Sequence, residues 1–355
     1  MMGCPRWVAL CAATWLACLQ VAGAQRFGER FIFASSPSTQ NVVWARLPSF
    51  KEQAEGAVAQ KVDVLIDGQA SKCTHTFCTE VSDQGLKNPQ GLAVVQHDVG
   101  LATLYVSDPE AQNIYAYKLA LVTAKGFSSS YPTATEQVKV REGVVAQWLT
   151  ADGYGNLFYT SQGKVEMISA ANLTKSIAEP GLPATPTVLY TAANSKAVAG
   201  PAGIATDNFF LYWANQQGDS GTGSVARGPQ RQLAAKDHPP APLSLMTDQY
   251  QAVATNVCLA RDNVFFTGES SALFAIKSNG GAIAEVNANF TKPTGCVYDD
   301  ESTLYVADEG ANAIFSLPAN FANLRTIGQV SKFTDVNAPS QLAVYAAWTQ
   351  MTQKR

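Results

Sequence analysis

The sequence predicts an all-β chain, a six-bladed β-propeller with four antiparallel strands per blade, closed into a ring by its C-terminal strand. Three observations predict it. One pattern repeats along most of the chain. Each copy alternates polar and apolar residues with the period of a strand. The two ends of the chain hold complementary parts of a single copy.

The clearest copies occupy residues 88–119, 200–228 and 292–317. Each runs Pro-x-Gly, an apolar stretch, an Asp/Asn/Gly turn, Leu-Tyr, a second polar turn and an alternating apolar strand. Degenerate copies fit at 144–170 and 254–278. The aromatics Tyr105, Phe158, Tyr212, Phe265 and Tyr305 mark the same phase in successive copies, about 53 residues apart until the last interval, about 40. β-branched and aromatic enrichment, with turns rich in Gly, Asn and Asp, reads as strands and hairpins. A further strand follows each pair, at 61–67, 136–142, 186–191, 242–247, 282–288 and 324–330, so each unit holds about four. Insertions between blades are expected at 51–60, 69–86, 120–135, 177–185 and 227–241.

Residues 30–47 match the second and third strands of a blade and lack the strand before them. Residues 338–347 supply it. Pairing the last strand with the first removes the free edges of an open ring. One propeller domain therefore spans 25–348, followed by a short tail at 349–355.

The first 24 residues read as a cleaved signal peptide: Arg6, an apolar run of about 15 residues, then Ala22-Gly23-Ala24 before the cut. That run is short of the roughly 20 residues of a spanning helix, so no integral membrane anchor is expected. Removing it leaves Cys73, Cys78, Cys258 and Cys296, an even number in an exported chain, which suggests two disulfides. Cys258 and Cys296 fall at corresponding places in adjacent blades, where inner strands converge. Cys73 and Cys78 flank a short loop holding His75, and an oxidising compartment favours a bridge over a metal there. Asn172-Leu-Thr and Asn289-Phe-Thr are candidate glycosylation acceptors.

Leu304-Tyr305-Val306-Ala307-Asp308 followed by Asn312-Ala313-Ile314 resembles NHL repeats, and Leu211-Tyr212-Trp213-Ala214-Asn215 resembles the YWTD repeats of lipoprotein-receptor propellers. The pattern is also similar to the six-bladed superfamily of SMP-30/gluconolactonase-like (TolB-like), strictosidine-synthase-like and paraoxonase-like proteins. The resemblance implies that Asp108 and Asp308 tie strands and blades together. It also implies, for the enzymes of that superfamily, a Ca²⁺-type cation at the central channel, held by carboxylates and Asn side chains where the inner strands begin.

The equivalent places here are the middle residues of Pro-x-Gly, read as Gln90, Gln147, Ala202, Asn256, Thr294 and Ser340. This ring of amides and hydroxyls carries no negative charge, whereas hard divalent cations take oxygen ligands that include carboxylates. Asp98, Glu142 and Asp248 are the carboxylates left for loops to deliver there. Asp152, Asp207, Asp262 and Asp299 sit in the first hairpin turn of their blades, where short polar side chains bond the local backbone. The aromatics read as blade-to-blade packing. No catalytic residue is assigned: Gly-x-Ser-x-Gly is absent, the three histidines (His75, His97 and His238) show no triad spacing, and the Gly-Asp-Ser-Gly at 218–221 reads as a turn.

Only 15% of residues are charged and the net charge is −3, so the chain lacks the electrostatic footprint of a nucleic-acid binder. The expectation is a secreted, monomeric, non-enzymatic binding or scaffold module without cofactor, recognising a protein, peptide or glycan through its loop faces, with the ring of Gln90, Gln147, Asn256, Thr294 and Ser340 as a candidate polar site. The alternative is a gluconolactonase- or strictosidine-synthase-like enzyme at the central funnel, with Ca²⁺ as the cofactor under that alternative alone.

Overall fold

Six hairpin-rich segments fold as six four-stranded antiparallel sheets in the computed structural model. It describes residues 28–49, 52, 60–68, 85–98, 100–123, 130–217, 223–231, 243–244, 253–328 and 330–347. The signal segment, the tail, Asp248, His75 and the Cys73/Cys78 pair lie outside them, as does the turn at 218–221.

Blade 1 contains β1 (Glu29–Ser36), β2 (Asn41–Arg46) and β3 (Asp63–Asp67). Blade 2 contains β4 (Leu92–Asp98), β5 (Leu101–Asp108), β6 (Asn113–Thr123) and β7 (Ser130–Glu142). Blade 3 contains β8 (Ala146–Ala151), β9 (Leu157–Ser161), β10 (Lys164–Ile168) and, after helix α1 (Ala170–Ala178), β11 (Thr187–Thr191). Blade 4 contains β12 (Pro201–Thr206), β13 (Phe210–Asn215), β14 (Ser224–Pro229) and β15 (Leu243–Ser244). Blade 5 contains β16 (Ala254–Ala260), β17 (Asn263–Gly268), β18 (Leu273–Lys277) and β19 (Ala284–Asn287). Blade 6 contains β20 (Pro293–Tyr298), β21 (Thr303–Asp308), β22 (Ala313–Pro318) and β23 (Ser331–Asp335), and β24 (Leu342–Ala347) returns to blade 1.

The return closes the ring. β24 pairs antiparallel with β1, with Phe31 opposite Tyr345 and Phe33 opposite Ala343. The rings of Phe31 and Phe33 stack on Tyr345 at 6.2 and 6.0 Å between centroids. Arg30 fastens the same junction to blade 6, reaching the Asp299 carboxylate at 3.4 Å and Glu301 at 2.9 Å.

The core is a set of apolar layers between neighbouring sheets, because strands covered on both faces need uncharged side chains in both phases. Leu104, Val106, Tyr115 and Tyr117 pack with Phe31, Phe33 and Tyr345 between blades 1 and 2. Phe158, Trp213 and Tyr190 pack between blades 3 and 4. Buried hydroxyls on the second strand of a blade add a belt of bonds to the next blade. Ser35 donates to the Gln90 carbonyl at 2.6 Å, Thr160 to that of Ala202 at 2.6 Å and Thr267 to that of Thr294 at 2.7 Å.

Three expectations about the outer strands are corrected. The fourth strand of blade 6 is β23, not residues 324–330. Leu324, Ile327 and Val330 are apolar because they pack against the layer between blades 5 and 6, and Ile327 N–H bonds Val286 O at 2.6 Å. Residues 120–135 are largely no insertion between blades: they lie mostly in β6 and β7, a hairpin longer than those of the other blades. Residues 177–185 begin inside α1, whose N-cap Ser169 accepts a bond from Asn172 N–H and whose buried Leu173 anchors it.

Candidate functional site on the propeller axis

The first strand of every blade is its innermost, and the six together line an axial cavity of about 210 Å³. Its geometry follows from the residue at the glycine place of Pro-x-Gly. Around the ring this place holds Gly91, Trp148, Gly203, Asn256, Gly295 and Gln341, so small and large residues alternate. The alternation is steric. A Cβ on Gly203 would lie 2.3 Å from Asn256 Cα, and one on Gly295 2.3 Å from Ser340 O, both backbone atoms.

Gln341 uses the space that Gly91 leaves. Its side chain passes blade 2 and reaches blade 3: Oε1 accepts from Leu92 N–H at 2.7 Å, and Nε2 donates to Leu149 O at 3.0 Å. Those two groups belong to innermost strands whose axial edges have no neighbouring strand to pair with, so a side-chain amide satisfies them. Gln341 is 6% exposed and closes the axis at this level.

Below it the next layer is Leu92, Leu149, Ile204, Val257, Cys296 and Leu342, all buried. Two residues further along each strand stand Val94, Ala151, Thr206, Leu259, Tyr298 and Val344, all half-buried. Exposure therefore rises along the strands. The cavity opens towards the first hairpin turns of the blades and is shut towards the Pro-x-Gly ends. Cys258 and Cys296 are joined by a disulfide with Cα atoms 5.8 Å apart, and both line the cavity. They are offset by one register step rather than equivalent, since Cys258 faces Phe265 and Cys296 faces Val306. Among the described residues no carboxylate, Lys, Arg or His is in the lining.

The polar ring lies on the shut side, and its membership changes. Asn256 faces Thr267 in the register where Trp148 faces Thr160, so it belongs to the layer of Gln341, and Thr255 takes the place at which Asn256 was expected. This copy lacks Pro-x-Gly, so the sequence reading places its ring residue one position late, whereas the bulge itself recurs in blades 3, 4 and 6. Gln147 is exposed, while Gln90, Thr255, Thr294 and Ser340 are half-buried. The Thr294 hydroxyl is engaged with Pro339 O at 2.9 Å. Asn256 is 1% exposed, and neither Oδ1 nor Nδ2 has a hydrogen-bond partner among the described residues.

The repeated aspartates bond backbone close to them, and two also receive side chains from other blades, Asp152 that of Gln230 and Asp299 that of Arg30. Asp108 accepts from the Lys87, Asn88 and Ala111 N–H groups, and Asp308 from those of Thr291, Lys292 and Ala311. Asp152, Asp207 and Asp299 accept from the backbone of their own turns. His97 bonds the Thr103 hydroxyl at 2.7 Å. The two sequon asparagines, Asn172 and Asn289, are both exposed.

A Ca²⁺-type cation does not fit the ring. It offers neutral oxygens without a carboxylate to balance the charge, and the Thr294 oxygen is already bonded. Among the described residues no group of three His, Cys, Asp or Glu is placed to hold a metal ion. No helix among them is long and apolar enough to cross a membrane.

The chain is a six-bladed β-propeller of the kind its repeats predict. No protein-family model matches it, and no curated protein matches its sequence. Solved structures do. A gluconolactonase from Xanthomonas campestris is 11% identical over 73% of this chain and 83% of its own, with a TM-score of 0.49. A calcium-binding protein, regucalcin, from Agrobacterium tumefaciens is 11% identical over 71% and 76%, with a TM-score of 0.42. AztD from Citrobacter koseri is 8% identical over 90% and 98%, with a TM-score of 0.45. At such identities and scores the likeness is one of fold, and no argument about chemistry rests on it.

Proposed function

We propose that this propeller is a non-enzymatic binding or scaffold module that works outside the cytosol as a monomer and recognises a protein, peptide or glycan. One observation carries the choice: the axis is closed at the Pro-x-Gly level by Gln341, and among the described residues the cavity behind it is lined by no carboxylate or histidine to act as acid, base or metal ligand. A rigid ring that spends its polar side chains on its own backbone leaves recognition to its faces. The apolar N-terminal run and the buried Cys258–Cys296 bridge support an oxidising compartment.

The second reading is a hydrolase at the funnel, the activity named for the Xanthomonas campestris protein. The bare Oδ1 of Asn256 favours it, because a neutral amide oxygen is one of the ligand types that hard cations take. One experiment separates the two: thermal melting of the full chain with Ca²⁺, Zn²⁺ and Mn²⁺, alongside turnover of a sugar δ-lactone. A binder gives melting curves that the cations leave in place and no turnover above background. A cation-dependent rise in melting temperature together with turnover establishes the hydrolase.

A further inference from the structure

We propose that the axial cavity is a one-ended ligand pocket, entered from the face of the first hairpin turns, for a compact neutral molecule with an aromatic or alicyclic body and one hydrogen-bonding group. The proposal goes beyond the binding reading and adds a small-molecule site to it.

Size comes first. Apolar cavities of about 150 Å³ hold benzene, so about 210 Å³ accommodates a substituted six-membered ring. Chemistry comes second. Leu92, Leu149, Ile204, Val257 and Leu342 line the closed end, where backbone edges stand beside their buried aliphatic side chains. Among the described residues the wall carries no charged side chain, so a charged ligand would lose hydration without compensation. A single polar group on the ligand has partners along the wall. The axial edges of the six innermost strands add backbone N–H and C=O groups.

Access comes third. The mouth is on the side of the half-buried layer of Val94 and Val344, away from the Gln341 barrier. Two large aromatics stand on that face. Tyr154 is 68% exposed and Phe209 77% exposed. Each lies three residues beyond a wall residue, Ala151 and Thr206. Their turns touch, since Gly153 N–H bonds the Asn208 side chain at 2.6 Å. The guanidinium of Arg231 stands over the Tyr154 ring at 5.9 Å from its centroid, whereas Phe209 presents a large exposed apolar face.

The test is titration calorimetry of the full chain with p-cresol and with indole, repeated on Val94→Trp and Val344→Phe, which narrow the mouth from two different blades, and on Phe209→Ser with Tyr154→Ser. The expected result is one saturable site for at least one probe, weakened tenfold or more by each narrowing variant and several-fold by the rim pair. Benzoate and benzylamine should bind at least tenfold more weakly than the neutral probes. Melting curves identify any narrowing variant that fails to fold, and the exposed rim pair then decides. Absence of saturable binding, binding untouched by the variants, or a crystal soaked in p-cresol that shows ordered water alone overturns the proposal. Those outcomes leave the cation and lactone experiment untouched, so failure of the ligand class is separable from failure of the binding reading.

Discussion

The side-chain nitrogen of Gln341 donates to the carbonyl oxygen of Leu149 at 3.0 Å, joining blade 1 to blade 3 across the axis. With its oxygen on Leu92 N–H, the same amide holds three blades at the level where the channel is shut. Gln341→Ala should strand both backbone groups and cost about 2 kcal/mol, since a buried donor or acceptor left unmade costs roughly 1–3 kcal/mol. Gln341→Glu should cost more than the alanine variant, because it sets a carboxylate against Leu149 O. Denaturant midpoints check the order. Equal stability of all three proteins would show that the bridge contributes nothing.

The ring closure depends on charge as well as on strands. The Asp299 carboxylate is buried, takes three N–H groups of its own turn and faces Arg30. Removing one partner of a buried pair costs about 3–5 kcal/mol because the other charge stays buried. Arg30→Ala should therefore lower the unfolding midpoint strongly, whereas Lys118→Ala, which breaks an exposed pair with Glu136, should change it by less than about 1 kcal/mol.

Cys258 and Cys296 close a loop with a sequence separation of 38. The chain-entropy relation puts such a bridge at about 4 kcal/mol. The double variant Cys258→Ala with Cys296→Ala should lose up to that amount and still fold, because the layer around the pair is apolar and complete. Unfolding curves of this variant and of the reduced wild type should coincide.

Stability should fail on the alkaline side. Burial pushes the phenols of Tyr190, Tyr212 and Tyr345 up to about 12, and raises those of Tyr105, Tyr117, Tyr159 and Tyr305 as well. The folded chain thus holds protons that an unfolded phenol releases near pH 10. This contribution is fully present below pH 10 and is lost as pH rises from 10 through about 12. Phenolate absorbance followed together with circular dichroism should show these tyrosines ionising with unfolding. Their ionisation in a chain that keeps its sheet signal would contradict the assignment.

Glycine at the axis is a packing requirement. Gly203→Ala would place its Cβ 2.3 Å from Asn256 Cα, and backbone cannot yield as a flexible side chain does. A loss of about 1–3 kcal/mol is expected from overpacking. Gly143→Ala makes a useful comparison: an added Cβ there meets nothing within 4 Å, so its cost comes from φ of +66° alone. Chemical denaturation of the two variants separates crowding from backbone strain.

Much of this was legible in the chain because propeller strands are local. Leu-Tyr-Val-Ser-Asp at 104–108 carries both the strand period and the aspartate that ties its loop, so sequence alone identifies strand and role. β23 was misplaced because apolar character at Leu324 and Ile327 marks burial, and burial against a neighbouring blade looks the same as pairing within one. Asn256 was misread for a different reason. Its copy lacks Pro-x-Gly, and a register read one residue late changes the face and the layer.

By itself, the sequence determined the number of blades, the closure by residues 338–347, the turn roles of the aspartates and the scarcity of charge. All of these follow from period, turn chemistry and composition, which act over a few residues. Only the tertiary structure decided that the axis is shut by Gln341, that small and large residues alternate around it, and that the cavity opens to the opposite face. Those facts depend on which residues from six separate strands arrive at one height on the axis. Contacts such as that of Gln341 with Leu149 join positions 192 residues apart, where no local pattern reaches.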